Sequence, residues 1–535
     1  MISNYISSEK SYTFLTGAGI SYNSPSNLPL ARDIVFKTIN ALSIDENIKD
    51  QIKDSFDSGT LRFEQFMELI TDIFDSNLDI LNQLSMCSSP NLIHHLLAEF
   101  IRGNHCVFTT NFDCLIEKAC INMGISIQTV FSNEQHIDEE TKSVWKLHGS
   151  LQDENGHDTK NSIVATMKRL GQSGEAFSNN PFLKDVFISS ICKNDLIVIG
   201  YSGSDDYDIV PMISQANTPN RIYWVWHDQN MRQIQVFPYR KFKSRKAKEI
   251  FEKLFSFGNW KENQIFVIAG NTTEILTEIG RILSNNFVSN HHYGNEYIVP
   301  SYYYSKWSLK YALEDWRNIG FLGNYFLTIR NYGEAYRYFL LTLSITDDAK
   351  EIFPKLYVLS KLATICIRGH QPELALDYLE EIDKLLNEEK KSSYFQIEQR
   401  MLKHYGNFVT NYYQHRAICC TEMGDLEGAL KMLQKANSQE GSIEYARGLY
   451  EKARIMKKKG DLPTALILIQ EAISIHRKHG NLESLAICLT FLTGELVKLH
   501  EFDKAKKGLY EIVGICNITN NHALLATCQQ RLENI

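Results

Sequence analysis

The sequence predicts an α/β domain built on a parallel sheet, followed by an all-α domain of helical repeats. In the first half, short apolar runs rich in β-branched residues alternate with helical segments, a pattern typical of parallel sheets with crossover helices. In the second half the strand signals end and a short motif recurs at intervals. With 535 residues, the chain is long enough for several domains and more than one hydrophobic core.

Composition and charge exclude several classes of protein for this chain. Hydrophobic residues make up 44% and charged residues 22%, which fits a globular protein and excludes disordered and fibrous classes. The formal net charge of −7 argues against binding nucleic acid through overall charge. Residues 1–10 carry no secretory signal, and no apolar run approaches the roughly 20 residues of a membrane-spanning helix. We therefore expect a cytoplasmic protein without a membrane partner.

Cysteine and histidine spacing predicts no metal site. The 11 cysteines are scattered and never follow Cys-x-x-Cys spacing, which favours free thiols in a reducing compartment and no zinc. His94-His95 and His291-His292 lack carboxylate or cysteine partners at ligand spacing, so we interpret them as core or surface histidines.

The basic run Arg240–Lys248 is followed by glutamates, which favours a solvated helix face over nucleic-acid binding.

The first apolar run leads into a glycine-rich turn. Phe14-Leu15-Thr16 is followed directly by Gly17-Ala18-Gly19-Ile20-Ser21. Glycine permits a tight turn and a close backbone approach to a ligand, with free N–H groups directed at an anion. The turn is therefore a candidate phosphate site, although Gly-x-Gly after a strand is also a common simple turn.

Further strands are expected along the first half, each followed by a polar or glycine-bearing loop. After a helical segment over Ile34–Phe100, the apolar runs cover 106–110, 144–147, 195–200, 221–226 and 264–269. The loops include Thr110-Asn111-Phe112-Asp113, His148-Gly149-Ser150, Tyr201-Ser202-Gly203-Ser204-Asp205 and Gly270-Asn271-Thr272. Because ligands of parallel sheets bind at the carboxyl ends of the strands, we expect these loops to share one pocket.

The second half contains a helical repeat. Equivalent alanines recur at Ala335, Ala375, Ala429, Ala465 and Ala505, with spacings of 40, 54, 36 and 40 residues. Tetratricopeptide repeats have a period of about 34 residues and a small residue where their two helices cross. The wider spacings imply extended helices or insertions. We expect a domain at 1–285, a linker and packing segment at 286–320, and tetratricopeptide-like repeats at 321–535.

Four motifs in this order resemble those of sirtuins. They are Gly17-Ala18-Gly19-Ile20-Ser21, Thr109-Thr110-Asn111-Phe112-Asp113, Lys146-Leu147-His148-Gly149 and Gly200-Tyr201-Ser202. The resemblance covers about residues 1–285. It implies a Rossmann-like sheet that binds NAD+ as its substrate.

The resemblance also implies roles for individual residues. His148 would be the general base acting on a ribose hydroxyl or on water, and Asn111 would hydrogen-bond the ribose or the attacking water. The other residues expected at NAD+ are Gly17, Ala18, Gly19, Ser21, Pro29, Arg32, Thr110, Asp113, Gly200, Ser202, Asp205, Gly270 and Asn271.

Among these, the turn from Gly17 to Ser21 would hold the pyrophosphate, and Asp113 would hold the nicotinamide carboxamide. Ser202 and Asp205 would lie near the adenosine ribose, and Gly270 with Asn271 near the adenine. For Asp205 and Asn271 a turn or a helix cap remains an equal alternative.

Two departures from the deacylating sirtuins point to hydrolysis. Those enzymes usually carry a four-cysteine zinc module beside an acyl-lysine groove, and the cysteines here cannot form one. The loop Asn27-Leu28-Pro29-Leu30-Ala31-Arg32 keeps the proline and arginine of the family's Gly-Ile-Pro-Asp-Phe-Arg but not its aspartate and phenylalanine. With the case for a peptide substrate weakened, water is the expected nucleophile, and the products would be nicotinamide and ADP-ribose.

A sirtuin-like domain without zinc, joined to helical repeats, is similar to NAD-depleting effectors of bacterial anti-phage defence. The resemblance implies that the repeats sense a phage-derived trigger or a protein partner and that the chain forms a homo-oligomer. Stacked helix pairs create extended surfaces suited to protein recognition.

Two alternative functions remain at this point. One is an NAD-dependent protein deacylase or ADP-ribosyltransferase, and the other is a non-catalytic sensor of NAD+ or an ADP-ribose-like signal. The pair Asn111 and His148 favours an enzyme over a sensor, because a pure binding pocket needs no general base.

Overall fold

A computed structural model describes residues 2–132, 135, 137–166, 181–203, 209–218, 220–231, 233–255, 259–284, 295–346, 352–389, 399–479, 481–519 and 521–535. Contacts divide the chain into Met1–Tyr311 and Ala312–Ile535. The division expected from the sequence, at residues 285 and 320, stays a prediction.

An eight-stranded sheet forms the centre of the first unit. Its strands are β1 (Tyr12–Thr16), β2 (Cys106–Thr109), β3 (Ile127–Val130), β4 (Lys142–Lys146), β5 (Asp195–Ile199), β6 (Ile222–His227), β7 (Gln235–Pro238) and β8 (Ile265–Gly270). The order is β3-β4-β2-β1-β5-β6-β8-β7. All neighbours pair in parallel except β7 and β8. The predicted parallel α/β sheet is confirmed.

The strand order places a topological switch point between β1 and β5. From β1 the chain builds one half of the sheet with β2, β3 and β4, and it then returns to the other side of β1 to add β5. In open parallel sheets, ligands bind in the crevice outside the carboxyl ends of the strands at such a point.

Mostly apolar sequence accounts for burial of the sheet on both faces. All residues of β1 and β5 are buried. Neighbouring residues face opposite sides, so Phe14 and Leu15 belong to different hydrophobic cores. Covered faces are what the parallel part of the sheet requires.

Helices cover the sheet. In the first unit the described α-helices are α1 (Ala31–Ala41), α2 (Glu46–Asp57), α3 (Phe63–Ile73), α4 (Leu92–Arg102), α5 (Leu115–Asn122), α6 (Pro181–Lys193), α7 (Ile209–Gln215), α8 (Arg245–Leu254), α9 (Thr272–Leu283) and α10 (Tyr303–Tyr311). The predicted helical segment over Ile34–Phe100 is thus divided among four helices, with turns and a 3-10 helix at Asp79–Leu84 between them.

The described part of the second unit is helical throughout its regular elements. Its helices are α11 (Asp315–Thr328), α12 (Tyr332–Thr346), α13 (Ile352–Arg368), α14 (Pro372–Glu389), α15 (Gln399–Met423), α16 (Leu426–Ala436), α17 (Ile443–Lys458), α18 (Leu462–Lys478), α19 (Leu482–Lys498), α20 (Phe502–Thr519) and α21 (His522–Glu533). Consecutive helices pack as hairpins: α11 with α12, α13 with α14, α15 with α16, α17 with α18, and α19 with α20.

The repeating alanines lie where the sequence placed them. Each stands in the first turns of the second helix of a hairpin, and all are fully buried: Ala335, Ala375, Ala429, Ala465 and Ala505. The wide interval before Ala429 contains α15, which is 25 residues long. The predicted tetratricopeptide-like repeats are confirmed.

Across the described ranges, no helix is both long enough and apolar enough to span a membrane.

Candidate functional site

Strand register brings the four motifs to one edge of the sheet. Thr16 of β1 pairs with Thr109 of β2 and with Ile199 of β5, and Thr109 pairs with Lys146 of β4. The positions two residues beyond these pairs are Ala18, Asn111, Tyr201 and His148. Because adjacent strands lie about 4.8 Å apart, these residues follow one another along the carboxyl edge.

The glycine turns after β1 and β5 pack against each other. The N–H of Gly17 donates to the carbonyl of Ile199 at 3.0 Å, and the N–H of Gly19 donates to the carbonyl of Gly200 at 2.9 Å. A Cβ on Gly17 would lie 2.8 Å from Cα of Tyr201. Gly200 has φ +62°, and a Cβ there would lie 2.7 Å from the nitrogen of Ile20. Glycine is therefore required for the contact between the two turns.

These hydrogen bonds correct one expectation. The N–H groups of Gly17 and Gly19 are not free for an anion, because the turn after β5 already accepts from both. The turns still lie at the switch point, where the sheet topology places a ligand. A contact of Gly17, Ala18, Gly19 and Gly200 with NAD+ stays a prediction.

Buried polar side chains form a network beneath the turn after β1. The hydroxyl of Ser21 donates to Oδ2 of Asp113 at 3.0 Å and lies 3.0 Å from Nε2 of His94. Nδ1 of His94 accepts from the N–H of Asn91 at 3.0 Å. The N–H of Leu115 donates to Oδ1 of Asp113 at 3.1 Å, which fixes this carboxylate at the start of α5. The side chains of Ser21, His94 and Asp113 are all buried.

Asn111 presents an acceptor without a donor. Its Nδ2 donates to Oδ2 of Asp113 at 3.2 Å and to Oγ of Ser21 at 3.3 Å. The side chain is only 6% exposed. Among the described residues, no group donates to its Oδ1. A buried carbonyl oxygen without a donor is costly, so this atom is suited to a hydroxyl or water supplied by a ligand.

A buried ion pair contacts the loop that contains Asn111 and Asp113. Nζ of Lys146 lies 3.0 Å from Oε1 of Glu117, and neither side chain is reached by solvent. Lys146 also donates a hydrogen bond to the backbone carbonyl of Asp113. Burial opposes the charge on Lys146, but Glu117 raises the pKa of this lysine above its ordinary value. Lys146 therefore stays cationic between β4 and the Asn111 loop.

His148 is held through its backbone. The N–H of Leu147 donates to the carbonyl of Thr109 at 2.9 Å, and the N–H of Val164 donates to the carbonyl of His148 at 3.0 Å. Gly149 has φ +80°, and a Cβ there would lie 2.2 Å from the carbonyl oxygen of Ser162. His148 is half-buried.

Other predicted site residues have structural contacts. Arg32 donates to both carboxylate oxygens of Asp57 at 2.7 and 2.8 Å and lies over the ring of Phe36. Pro29 is buried, and Thr110 donates its N–H to Thr16 at 3.0 Å. For Pro29, Arg32 and Thr110, contact with NAD+ stays a prediction.

The remaining predicted residues lie after β5 and β8. Ser202 is exposed beyond β5, whereas Asp205 lies outside the described residues. Gly270 ends β8, and Asn271 caps α9 by accepting from the N–H groups of Thr273 and Glu274 at 3.0 and 3.3 Å. The cap that the sequence left open as an alternative for Asn271 is present, and a role at the adenine stays a prediction.

A separate cavity of about 340 Å³ contains none of the predicted site residues. Its lining consists of Asn23, Ser24, Pro25, Asn91, Leu92, Ile93, Thr273 and Glu296. It lies beside the first turn of α9.

Sequence reasoning missed His94, Lys146 and Glu117 as parts of the site. The sequence indicates a core or surface histidine at position 94. His94 is a core residue, and its ring has hydrogen-bond partners in Ser21 and Asn91. Lys146 stood inside a quoted motif, directly before Leu147-His148, without a role. Glu117 gave no signal, because only the fold brings α5 against β4.

Within the described ranges, no group of three or more histidine, cysteine, aspartate or glutamate residues could hold a metal ion. The cysteines there are unpaired thiols, and most are buried.

Comparison with known proteins identifies the domain at this edge. The family model described as SIR2-like domain matches residues 105–250, a range that includes Asn111 and His148. No curated protein matches the chain.

Three similar solved structures cover different shares of this chain. A Rap protein complexed with competence and sporulation factor is 15% identical over 55% of this chain and 83% of its own, with a TM-score of 0.35. MamA is 14% identical over 37% of this chain and 97% of its own, with a TM-score of 0.23. A signal-transduction ATPase with a tetratricopeptide repeat sensor, from Pyrococcus horikoshii, is 12% identical over 97% of this chain and 83% of its own, with a TM-score of 0.30. At these TM-scores the likenesses carry no argument about this chain.

Proposed function

We propose that the SIR2-like domain of this chain hydrolyses NAD+ to nicotinamide and ADP-ribose. SIR2-like domains are NAD-dependent enzymes, and the resemblance of four ordered motifs to sirtuins favours NAD+ as the substrate. The observation that carries the proposal is the buried Oδ1 of Asn111, an acceptor without a donor at the carboxyl edge that also holds His148.

The chemistry of the substrate explains why few groups are needed. Hydrolysis breaks the bond between C1′ of the ribose and the nitrogen of nicotinamide. The electron pair of this bond leaves with nicotinamide, which departs as a neutral molecule and needs no general acid. Positive charge develops on the ribose, as in glycoside hydrolysis. The oxygen of water then bonds to C1′, and the water loses a proton.

The proposed roles follow from these requirements. Oδ1 of Asn111 accepts a hydrogen bond from the attacking water or from a ribose hydroxyl, which orients it toward C1′. His148 accepts the proton that the water releases. Asp113 holds the amide of Asn111 and favours the positive charge that develops nearby. Contact of Asp113 with the nicotinamide carboxamide stays a prediction.

We further propose that the second unit regulates this activity in an anti-phage defence role. An enzyme that consumes cellular NAD+ is toxic unless it is restrained, and helical repeats offer surfaces for a protein partner or phage-derived trigger. A homo-oligomer and a cytoplasmic location belong to this proposal. The SIR2-like domain and the repeat unit in one chain support it.

The experiment follows the oxygen atom of water. Purified full-length protein is incubated with NAD+ in water enriched in oxygen-18, with and without an acyl-lysine peptide, and the products are weighed by mass spectrometry. Hydrolysis gives free ADP-ribose that carries one solvent oxygen, without any peptide. The same reaction is repeated with lysate from phage-infected cells, because the resting protein can be restrained.

Matched variants distinguish the site from general damage. Asn111→Ala and His148→Ala should each lower nicotinamide release by about 100-fold or more. Asn155→Ala and His157→Ala change the same residue types at exposed positions and should leave release unchanged. Product formation that requires the acyl-lysine peptide would replace the proposal with a deacylase. Binding of NAD+ without cleavage in every condition would replace it with a sensor.

A further inference from the structure

The hydrogen-bond partners of His94 determine which of its two ring nitrogens carries the proton. Its Nδ1 accepts from the N–H of Asn91 at 3.0 Å, so this nitrogen carries no proton in the neutral ring. Nε2 must then carry the proton, and it donates to Oγ of Ser21 at 3.0 Å. The cap of α4 thereby sets the tautomer of His94.

The protonation of His94 also determines the donor and acceptor roles of Ser21 and Asn111. Because Oγ of Ser21 accepts from His94, its own proton is free to point at Oδ2 of Asp113, 3.0 Å away. Both of these oxygens then accept from Nδ2 of Asn111. The amide nitrogen must face them, and Oδ1 must face away, because a reversed amide would set its oxygen against the Asp113 carboxylate.

We propose that His94 is a positioning residue, which donates through Nε2 to Ser21 and so fixes the orientation in which Asn111 presents its oxygen to the substrate. The inference rests on the proposed NAD+ hydrolysis and adds a residue that touches neither substrate nor water. His94 lies wholly inside the fold, between the cap of α4 and the turn after β1.

Removing the donor of His94 should loosen this orientation. Without it, the proton of the Ser21 hydroxyl can rotate away from Asp113, and Oγ of Ser21 is no longer held as an acceptor for Nδ2 of Asn111. The amide of Asn111 is then fixed by Asp113 alone, and its Oδ1 is less precisely directed at the water or ribose hydroxyl. We expect the chemical step to slow, while the surfaces that hold the rest of NAD+ remain in place.

Two substitutions separate the two nitrogens of the ring. In His94→Asn the side-chain oxygen can still accept from the N–H of Asn91, but the side chain is too short to donate to Ser21. In His94→Gln the amide nitrogen can reach the position of Nε2 and donate to Ser21. His95→Gln is the matched control, because His95 is the adjacent buried histidine on the same helix.

Steady-state kinetics of nicotinamide release by the full chain provide the test. For His94→Asn we expect kcat to fall about 100-fold, with KM for NAD+ changed by less than about threefold. His94→Gln should recover most of kcat, and His95→Gln should match the wild type. In a Ser21→Ala background, His94→Asn should lower kcat little further, because its route to Asn111 is already absent.

Several outcomes overturn the inference. They are wild-type kcat in His94→Asn, an equal loss in His94→Gln and His94→Asn, or a full additional loss in the Ser21→Ala background. Absence of NAD+ cleavage by the wild type would instead count against the proposed function. A crystal structure of His94→Asn then tests the inference alone: we expect Ser21 to leave Asp113, and an unchanged Ser21–Asp113–Asn111 network would contradict it.

Discussion

The ammonium of Lys146 lies 3.0 Å from the carboxylate of Glu117, and both side chains are fully buried. Lys146 ends β4 directly before Leu147-His148, and it also donates to the carbonyl of Asp113 in the loop that carries Asn111. One buried cation thus joins the strand that leads to His148 with the loop that leads to Asn111. The relative placement of the two proposed catalytic residues depends on it.

Breaking this ion pair should destabilise the first unit. Lys146→Met leaves the Glu117 carboxylate buried without its partner, which costs about 3–5 kcal/mol. Tryptophan fluorescence during denaturant unfolding measures this loss, because every tryptophan except Trp316 lies in the first unit. In the double variant Lys146→Met/Glu117→Leu both charges are absent, and we expect most of the stability to return. A double variant as unstable as the single one would show that the charges do not act as a pair.

Stability of the first unit should fall in mildly acidic solution. Burial lowers the pKa of His94 from 6.5 to about 4, an effect that Asp113 opposes and that His95 and Lys146 reinforce. Between these values the unfolded histidine binds a proton and the folded one does not. The contribution is therefore fully present above pH 6.5, declines by about 3 kcal/mol as the pH falls toward 4, and changes no further below that.

The matched measurement compares the wild type with His94→Gln. Glutamine does not titrate, so the unfolding free energy of the variant should depend less steeply on pH between 6.5 and 4. The other titrating groups are common to both proteins and cancel in the difference. Equal slopes would show that His94 is protonated in the folded protein at mild acidity.

Crowding between the glycine turns should be separable from backbone strain. Gly200 and Gly124 have similar φ angles, +62° and +67°, but nothing lies within 4 Å of a Cβ placed on Gly124. Gly124→Ala should cost only the strain of a left-handed alanine, about 1–2 kcal/mol. Gly200→Ala should cost more and should lower nicotinamide release at least about tenfold, because the new Cβ pushes the two turns apart. Equal effects of the two substitutions would contradict the packing described at the switch point.

The sequence predicted those elements whose signals are local. β1 and β5 could be predicted because both are mostly apolar runs, and all their residues are buried. β7 was missed because it is an edge strand with partly exposed residues and a terminal proline. β3 was missed because it is short and contains a glutamine.

In the candidate site too, only the features that depend on local sequence could be predicted. Asn111 and His148 follow buried strands, so their place at the carboxyl edge could be inferred from the chain. The partners of Gly17 and Gly19 could not, because the turn after β5 is almost two hundred residues away. Arg32 was expected at the ligand, but Asp57 reaches it only after α1 and α2 have packed. The proposed role of His94 depends on its contact with Ser21, which lies in a different element, so the sequence around His94 could not predict it.

Two glycines of the repeat unit should respond oppositely to alanine. Gly514 lies in α20 with open space around a Cβ, so Gly514→Ala should stabilise the second unit by about 0.5–1 kcal/mol. Gly323 lies in α11, where a Cβ would be 2.9 Å from the buried ring of Phe339 in α12. Gly323→Ala should therefore destabilise the unit by about 1–3 kcal/mol. Circular dichroism at 222 nm follows the helices, and a gain in stability at Gly323 would contradict the close helix crossing.

Nicotinamide release from NAD+ by the purified full chain, without an acylated peptide, tests the central claim most directly. We expect release with the wild type, alone or with lysate from infected cells, and its loss in both Asn111→Ala and His148→Ala. Release that persists in Asn111→Ala would contradict the account, because the buried oxygen of this residue is the observation from which the hydrolysis was inferred.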